Sequence, residues 1–195
     1  MGKEKYLKDV ETLLKKSSVV DFRSIQRVVR SKKKIKQYAK HMVRNMLLKG
    51  KLKRLTKGFY TTHDNPSLAV FCFTPAYLGL QDAMSFHGLW EQETIPVIVT
   101  AKKIRPGIRE IMGVNVLLRR ISRKYLFGFE YYQAGDVYFP YSDLEKTLID
   151  MVHFRQKLSK ESVLIIKSKI QKKKLLLYLK AYPKRIRNKV LLLIC

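Results

Sequence analysis

Apolar residues recur every three or four positions in three segments of the first fifty residues, and this spacing predicts three helices. The segments are residues 4–16, 22–29 and 31–49. Asp21 and Ser31 precede the second and third helices, where their side chains can act as N-caps, and Gly50 follows the third, as a left-handed C-cap would. One face of the third helix is predicted to pack on a core through Ile35, Tyr38, Ala39, Met42, Met46 and Leu47.

A short basic hairpin is predicted directly after the third helix. Its strands are residues 51–55 and 59–62, with Thr56, Lys57 and Gly58 in the turn, and Val19 and Val20 are expected to form a further short strand. Three helices and a hairpin within 62 residues predict a winged helix-turn-helix. In that fold the third helix enters a major groove of DNA, and the hairpin, or wing, lies along the backbone or the next minor groove.

Residues 63–67 are rich in turn formers and predict the end of the first domain at residue 66. Beyond them, strands are predicted at residues 95–100, 114–121, 127–132 and 137–141. A helix is predicted at 78–87, ended by Gly88, and another runs to about residue 154 behind a capping box formed by Ser142 and Glu145. The expected aromatic core of this domain consists of Phe71, Phe73, Tyr77, Phe86 and Trp90.

The last forty residues are predicted to form one lysine-rich helix at 159–180, a break at Pro183 and a final helix at 184–194. The complete prediction is an α+β chain. It has a winged helix-turn-helix domain at residues 1–66, a mixed α/β domain at 67–155, and a basic helical extension of that second domain at 156–195.

Charge changes this picture, because it is unevenly distributed along the 195 residues. The formal net charge is +26, with 19 Lys and Arg against 4 Asp and Glu in residues 1–62, 10 against 10 in residues 63–155, and 12 against 1 in residues 156–195. Two basic ends around a neutral middle indicate separate roles, and nucleic acid is the expected partner of the basic parts.

The remaining composition predicts a cytoplasmic protein that does not enter a membrane. Cys72 and Cys195 lack metal-ligand spacing and are expected to be free thiols in a reducing compartment. The longest stretch without charged residues, 65–81, is too short to span a bilayer comfortably.

Double-stranded DNA is the predicted partner of the third helix and the wing. Lysine and arginine side chains there would neutralise phosphates, and Gln37 would read base edges in the major groove. A solvated helix face without a ligand is the alternative interpretation of the lysine run. The predicted DNA-binding residues are Ser31, Lys32, Lys33, Lys34, Lys36, Gln37, Lys40, Arg44, Lys53, Arg54 and Lys57.

Candidate catalytic groups are few, and the sequence predicts no enzyme, no metal and no cofactor. Asp143, Glu145 and Lys146 are similar to the acidic–lysine cluster of metal-dependent nucleases, but Glu145 and Lys146 are adjacent and point to different sides of a helix. Asp150 and His153 lie one helical turn apart, where a structural contact is the simpler interpretation.

Several segments of the second domain resemble one known family. They are Tyr-Leu-Gly-Leu-Gln-Asp-Ala-Met-Ser-Phe-His-Gly-Leu at 77–89, Ile-Pro-Val-Ile-Val-Thr at 95–100, Phe-Gly-Phe at 127–129 and Ser-Asp-Leu-Glu-Lys-Thr-Leu-Ile-Asp at 142–150. Together with Lys-Gly-Phe-Tyr at 57–60 in the hairpin, they resemble the AbiEi antitoxins of type IV toxin–antitoxin systems.

The resemblance implies a repressor of its own operon that binds inverted repeats in the promoter through the winged domain. It also implies that the second domain neutralises a nucleotidyltransferase toxin without a stable complex. Two other functions remain open: a stand-alone winged-helix transcription regulator, whose ligand pocket would lie among Phe71, Phe73, Tyr77 and Trp90, and a protein that binds structured RNA.

Overall fold

The computed structural model of this chain describes residues 6–29, 35–89, 92 and 94–194, with only the backbone of residues 35 and 36. It confirms the α+β class. The chain forms two compact units, one of Met1–Cys72 with Glu110–Val114, the other of Phe73–Arg109 with Asn115–Cys195. No helix in the described part of the chain is long and apolar enough to cross a membrane.

In its described residues, the first unit contains three α-helices and a three-stranded antiparallel sheet in the order β1-β3-β2. The side chain of Asp21 accepts a hydrogen bond from the Ser24 amide at 2.7 Å, so the predicted N-cap of the second helix is confirmed. The elements are α1 (Leu7–Lys16), β1 (Val20–Asp21), α2 (Phe22–Val28), α3 (Ile35–Leu48), β2 (Lys53–Thr56) and β3 (Phe59–Thr61).

Helix α3 ends where the sequence predicted. Gly50 has a φ of +66°, in the left-handed region that glycine adopts without strain. The amides of Gly50 and Lys51 donate to the carbonyls of Leu47 and Met46 at 3.1 and 3.0 Å, which satisfies the last turn of the helix. The core of this unit is made of Val10, Leu14, Val20, Ile25, Val29, Ala39, Met42, Val43, Met46 and Leu52.

A six-stranded mixed sheet, in the order β6-β7-β5-β4-β9-β8, forms the framework of the rest of the chain. Strand β4 pairs antiparallel with β5 and parallel with β9, and β5 pairs parallel with β7. The strands are β4 (Ala76–Leu78), β5 (Val97–Thr100), β6 (Gly107–Ile111), β7 (Val114–Arg120), β8 (Phe129–Ala134) and β9 (Val137–Ser142).

Five helices accompany this sheet in the described residues, and short 3-10 segments occur at Pro66–Phe73 and Arg123–Tyr125. The C-terminal helices belong to the same core as the helix after β9, because Leu175, Leu179, Val190 and Ile194 are buried within it. The helices are α4 (Leu80–Phe86), α5 (Leu144–His153), α6 (Lys160–Lys169), α7 (Lys172–Leu179) and α8 (Lys184–Ile194).

The bounds of two predicted helices are wrong. The helix expected at 78–87 begins only at Leu80, because residues up to Leu78 form β4 and are held by ladders on both sides. The single helix expected at 159–180 is two helices. Ile170 is extended, with φ −75° and ψ 139°, and it turns into the core between them.

The predicted capping box at the start of α5 is also wrong. Ser142 still belongs to β9, so the N-cap is Asp143, which accepts a hydrogen bond from the Lys146 amide at 2.8 Å. The Ser142 hydroxyl bonds the Thr147 hydroxyl instead, at 2.7 Å. Glu145 accepts from the amide of Gln171 at 2.7 Å and therefore ties α5 to the start of α7.

The expected aromatic core is confirmed in part. Tyr77 is fully buried and Phe73 is buried, whereas Phe71 is half-buried. Phe86 is 40% exposed, because the last turn of α4 places its ring against Tyr141, with ring centroids 4.1 Å apart, rather than inside the domain. Trp90 lies outside the described residues.

Candidate nucleic-acid interface

The solvent-exposed face of α3 is polar and basic. Ala39, Met42, Val43 and Met46 are buried on one side of the helix, which fixes its rotation about its own axis. The positions between them, at the spacing of one helical turn, therefore face solvent. The exposed polar residues are Gln37, Lys40, His41, Arg44 and Asn45, and the last residue of the helix, Leu48, is exposed as well.

This face carries cations and no anions. The sequence from residue 31 to residue 62 contains no Asp or Glu. Among the described residues, no ion pair involves Lys40 or Arg44. Their charges are therefore not neutralised by any described acidic side chain, which leaves them available to an external anion.

The hairpin of β2 and β3 presents a second group of cations. Its turn lies at Lys57 and Gly58, where Gly58 has a φ of +82° and Lys57 is exposed. Arg54 is also exposed, and its Nε donates to the Thr56 carbonyl at a long 3.4 Å, which holds the side chain along the hairpin.

Lys53 differs from these two residues, although the sequence predicted the same role for all three. Its ammonium group forms a salt bridge with Asp64, and its side chain is only 34% exposed. Asp64 comes shortly after the hairpin in the sequence. Its carboxylate neutralises Lys53, one of the three cations that were predicted to bind DNA from the wing. Because the Asp64 side chain is 85% exposed, this pair is a weak surface salt bridge that reduces the availability of Lys53 to an external phosphate without abolishing it.

The predicted site residues are thus only partly placed by the structure. Gln37, Lys40, Arg44, Arg54 and Lys57 are exposed in the same unit, and the backbone of Lys36 is helical. His41 was missed, although its spacing from Gln37 and Arg44 along one helix face is visible in the sequence. Ser31, Lys32, Lys33 and Lys34 lie outside the described residues.

A different lysine, Lys146, lies at the centre of a polar cluster inside the second unit. Lys146 and Asp150 are fully buried and form a salt bridge one helical turn apart on α5. The hydroxyl of Tyr77 donates to the second carboxylate oxygen of Asp150 at 2.5 Å, and the Lys146 ammonium donates to the Tyr182 hydroxyl at 3.0 Å. Strand β4, helix α5 and the turn before α8 are therefore joined through one ion pair.

Burial dominates the electrostatics of this cluster. Burial lowers the pKa of Lys146, although the attraction of Asp150 opposes that change. Burial also raises the pKa of Asp150 against the opposing effect of Lys146. Three aromatic rings surround the ammonium group, with centroids 5.3 to 5.7 Å from Nζ. These partners satisfy the ammonium group of Lys146, so the cluster has a structural role inside the second unit.

A second network fixes the start of α5. Asp143 accepts a hydrogen bond from the Tyr178 hydroxyl at 2.9 Å and pairs with the ammonium of Lys174 at 3.0 Å. Burial alone would lower the pKa of Lys174, but the hydrogen bond and charge of Asp143 raise it. At Gly128, a Cβ atom would lie 2.7 Å from the Tyr178 ring and 2.9 Å from the Lys146 Cβ, so only glycine fits there.

These contacts explain the residues that the sequence singled out as candidate chemistry. Asp143 and Glu145 both lie at the ammonium of Lys174, at 3.0 and 3.7 Å, whereas Lys146 bonds to Asp150 and Tyr182 in the core, so the three residues do not form one cluster. Asp150 bonds to Lys146 and Tyr77, whereas His153 packs edge-on against the rings of Tyr125 and Phe154.

Comparison with known proteins shows a related fold. No family model matches the chain, and no curated protein matches its sequence. The chain is similar to the crystal structure of the RV2827C protein from Mycobacterium tuberculosis, with a TM-score of 0.62 and 12% sequence identity. The similarity covers 100% of this chain and 76% of that chain. At this identity the similarity shows the shared fold alone.

Proposed function

We propose that the first unit is a winged helix that binds double-stranded DNA, and that the protein is a transcription regulator. The observation that carries the proposal is the exposed face of α3, whose cations have no acidic partner in the described residues. The order of elements, with three helices followed by the β2–β3 hairpin, supports it. A helix about 10–12 Å across with its side chains fits the major groove of B-DNA.

The side chains have different roles in this complex. Lys40 and Arg44, one helical turn apart on the same face of α3, neutralise phosphates beside the groove, and Gln37 is close enough to the N-terminus of α3 to reach base edges. Lys57 at the tip of the hairpin, together with Arg54, contacts the backbone beyond the groove. His41 adds a further polar group on the same face of α3.

The salt dependence of binding tests the proposal. The affinity of the full-length protein for its own promoter would be measured by gel shift across a series of salt concentrations. The slope of log K against log salt should fall by about 0.9 for each phosphate contact that is lost, so Lys40→Ala/Arg44→Ala should flatten it clearly. An unchanged slope would exclude α3 from the interface.

A matched control keeps the loss of net charge constant. Lys15 and Lys16 are exposed at the end of α1 in the same unit, so Lys15→Ala/Lys16→Ala removes as much charge from a different surface. This control should retain the slope of the unmodified protein. Double-stranded RNA of the same sequence serves as a second ligand. Its narrow major groove does not admit a helix, so tight, α3-dependent RNA binding would favour the RNA-binding function.

We further propose, from the resemblance to AbiEi antitoxins, that the second unit protects cells from a nucleotidyltransferase toxin encoded beside this gene. The toxin would be expressed from an unrelated promoter, so that a loss of repression cannot imitate a loss of rescue. Under the two-role proposal, full-length Lys40→Ala/Arg44→Ala should lose repression and keep rescue. If rescue is lost in parallel with DNA binding while the variant stays folded, DNA binding is the whole function.

A further inference from the structure

The outer edge of β8 pairs with no other strand in the described part of the chain. Strand β8 is the last strand of the six-stranded sheet, and within the described residues it pairs with β9 alone. The pairing is antiparallel and regular over six residue pairs, from Phe129 opposite Ser142 to Ala134 opposite Val137. An edge strand has a row of backbone N–H and C=O groups on its outer side that no strand of the same sheet can pair.

Of the features that usually protect an edge strand, β8 has only the single exposed charge of Glu130. Its sequence, Phe-Glu-Tyr-Tyr-Gln-Ala, contains no Lys, Arg or Pro, and its pairing with β9 shows no bulge. Tyr131 is 62% exposed, and Tyr138 on the neighbouring strand is 55% exposed. The opposite edge strand, β6, carries Arg109 and Glu110, which oppose pairing with another sheet.

We propose that β8 pairs antiparallel with β8 of a second copy of this chain and so forms a symmetric dimer. A two-fold axis perpendicular to the sheet at Tyr131 places Tyr131 opposite its own copy. Glu130 then lies opposite Tyr132 of the second copy, and Phe129 lies opposite Gln133. No two like charges face each other in this register.

Self-pairing is favoured over capture of another protein because the strand already contains its own complement. Within one chain the Tyr132 hydroxyl donates to the Glu130 carboxylate at 3.3 Å, and the same two groups meet across the proposed interface. Both copies contribute the same edge, so the symmetry closes at two copies and leaves no further β8 edge to extend the assembly. The proposal does not depend on DNA binding, although a dimer would suit an inverted repeat.

The oligomeric state of the full-length protein without DNA tests the proposal. Molar mass would be measured by light scattering during gel filtration over a range of concentrations, and the unmodified protein should give a dimer. Tyr131→Lys places a charge on the edge and should give a monomer. Ile108→Lys is the matched control, because Ile108 is 64% exposed on the other edge strand, and it should remain a dimer. A monomer for the unmodified protein at every concentration, or a dimer that survives Tyr131→Lys, overturns the proposal.

Disulfide cross-linking measures the register without relying on a charge substitution. In a Cys195→Ser background, Tyr131→Cys should form an intermolecular disulfide on mild oxidation, because paired Cα atoms on the two-fold axis lie about 4.5–5.5 Å apart. Tyr138→Cys is similarly exposed but lies one strand further in and pairs with Gln133, two residues from the axis, so its two copies would be roughly 20 Å apart. That separation exceeds the limit of about 7 Å for a disulfide. Equal cross-linking at both positions, or none at Tyr131→Cys, contradicts the pairing.

Discussion

Lysines on α3 and the hairpin tip of the first unit and Lys146 of the second unit are held in opposite ways. On α3 and the hairpin tip, Lys40 and Lys57 are exposed, and no ion pair involves either of them in the described part of the chain. On α5, Lys146 is fully buried against Asp150, Tyr77 and Tyr182. The same residue type therefore offers its charge to an outside partner in one unit and to the protein itself in the other.

This difference shows why lysine content alone does not locate a binding surface. A lysine with no acidic neighbour can bind phosphate at little cost, whereas a buried and paired lysine has lost its hydration and cannot leave its partner without a large penalty. Lys174 is intermediate, since it is 28% exposed and paired with Asp143 at 3.0 Å, although it belongs to a run of three lysines. Partners and burial, rather than charge density along the chain, separate the two roles.

Breaking the buried pair gives the largest expected effect. Lys146→Ala leaves the carboxylate of Asp150 in the core without its cation, which should lower the free energy of unfolding by about 3–5 kcal/mol. Lys172→Ala, on the exposed start of α7, should change it by less than about 0.5 kcal/mol. Urea denaturation followed by circular dichroism measures both.

A paired replacement distinguishes an uncompensated charge from lost packing. Lys146→Met together with Asp150→Leu removes both charges and keeps apolar volume, so it should be much less destabilising than Lys146→Ala. If the double variant is as unstable as the single one, the cluster contributes mainly through packing and hydrogen bonds.

The pH dependence of stability should show a smaller effect in the second unit. Burial raises the pKa of Asp82 to about 7, although hydrogen bonds from the Val97 amide and Tyr141 oppose the shift. The folded protein therefore keeps the proton that the unfolded chain loses near its ordinary pKa of 3.8. The stabilisation from this group is complete below that value, falls as the pH rises, and is lost above about 7.

Comparing the unmodified protein with Asp82→Asn over this pH range isolates the contribution, because the asparagine cannot titrate. The difference in unfolding free energy between the two proteins should change between about pH 4 and about pH 7, and it should be constant above about pH 7. Asp21 in the first unit gives the opposite sign, since its hydrogen bond from Ser24 lowers its pKa and its contribution is lost on acidification. A flat difference would show that Asp82 is ionised in the folded protein.

On the exposed surface, Gln37 separates reading of bases from binding of phosphates. If it makes a bidentate contact with a base, Gln37→Ala should reduce discrimination between the promoter and random DNA by about 1–3 kcal/mol. Because glutamine is uncharged, the salt slope should not change. Competition gel shifts with both DNAs measure this, and an equal loss on the two would remove the base-reading role.

The smallest expected effect is a difference in salt slope between variants of two hairpin lysines, Lys57 and Lys53. Lys57→Ala should lower the salt slope by about 0.9, since an exposed lysine can neutralise one phosphate. Lys53→Ala should lower it less, because its ammonium is bound to Asp64. Asp64→Asn releases Lys53 and should steepen the slope. Equal slopes for the two lysine variants would mean that the salt bridge opens when DNA binds.

Local features of the fold were predictable from the sequence. The spacing of apolar residues on α3, the cap at Asp21 and the left-handed Gly50 depend on neighbours within about one helical turn, and all three are present. The exposed positions of Gln37, Lys40 and Arg44 follow from the same periodicity. Helix α8 likewise has the predicted bounds, because Pro183 blocks continuation from α7.

Contacts between residues far apart in the sequence could not be predicted from neighbours within one helical turn. Ser142 and Glu145 satisfy the sequence pattern of a capping box, yet the ladder of β9 keeps Ser142 in the strand and Gln171 takes the Glu145 carboxylate. The break at Ile170 and the pairing of Lys53 likewise depend on residues that the fold brings near.

The sequence by itself determined where the helices carry their apolar faces and which part of the chain has cations without anions. Only the tertiary structure decided that Lys146 is buried in a structural ion pair, while Lys40 is exposed and has no ion pair among the described residues. Residues as far apart as Tyr77 and Asp150 meet only after β4 and α5 have packed together. Burial and ion pairing are set by that packing, whereas periodicity and caps are set by the chain within a single turn.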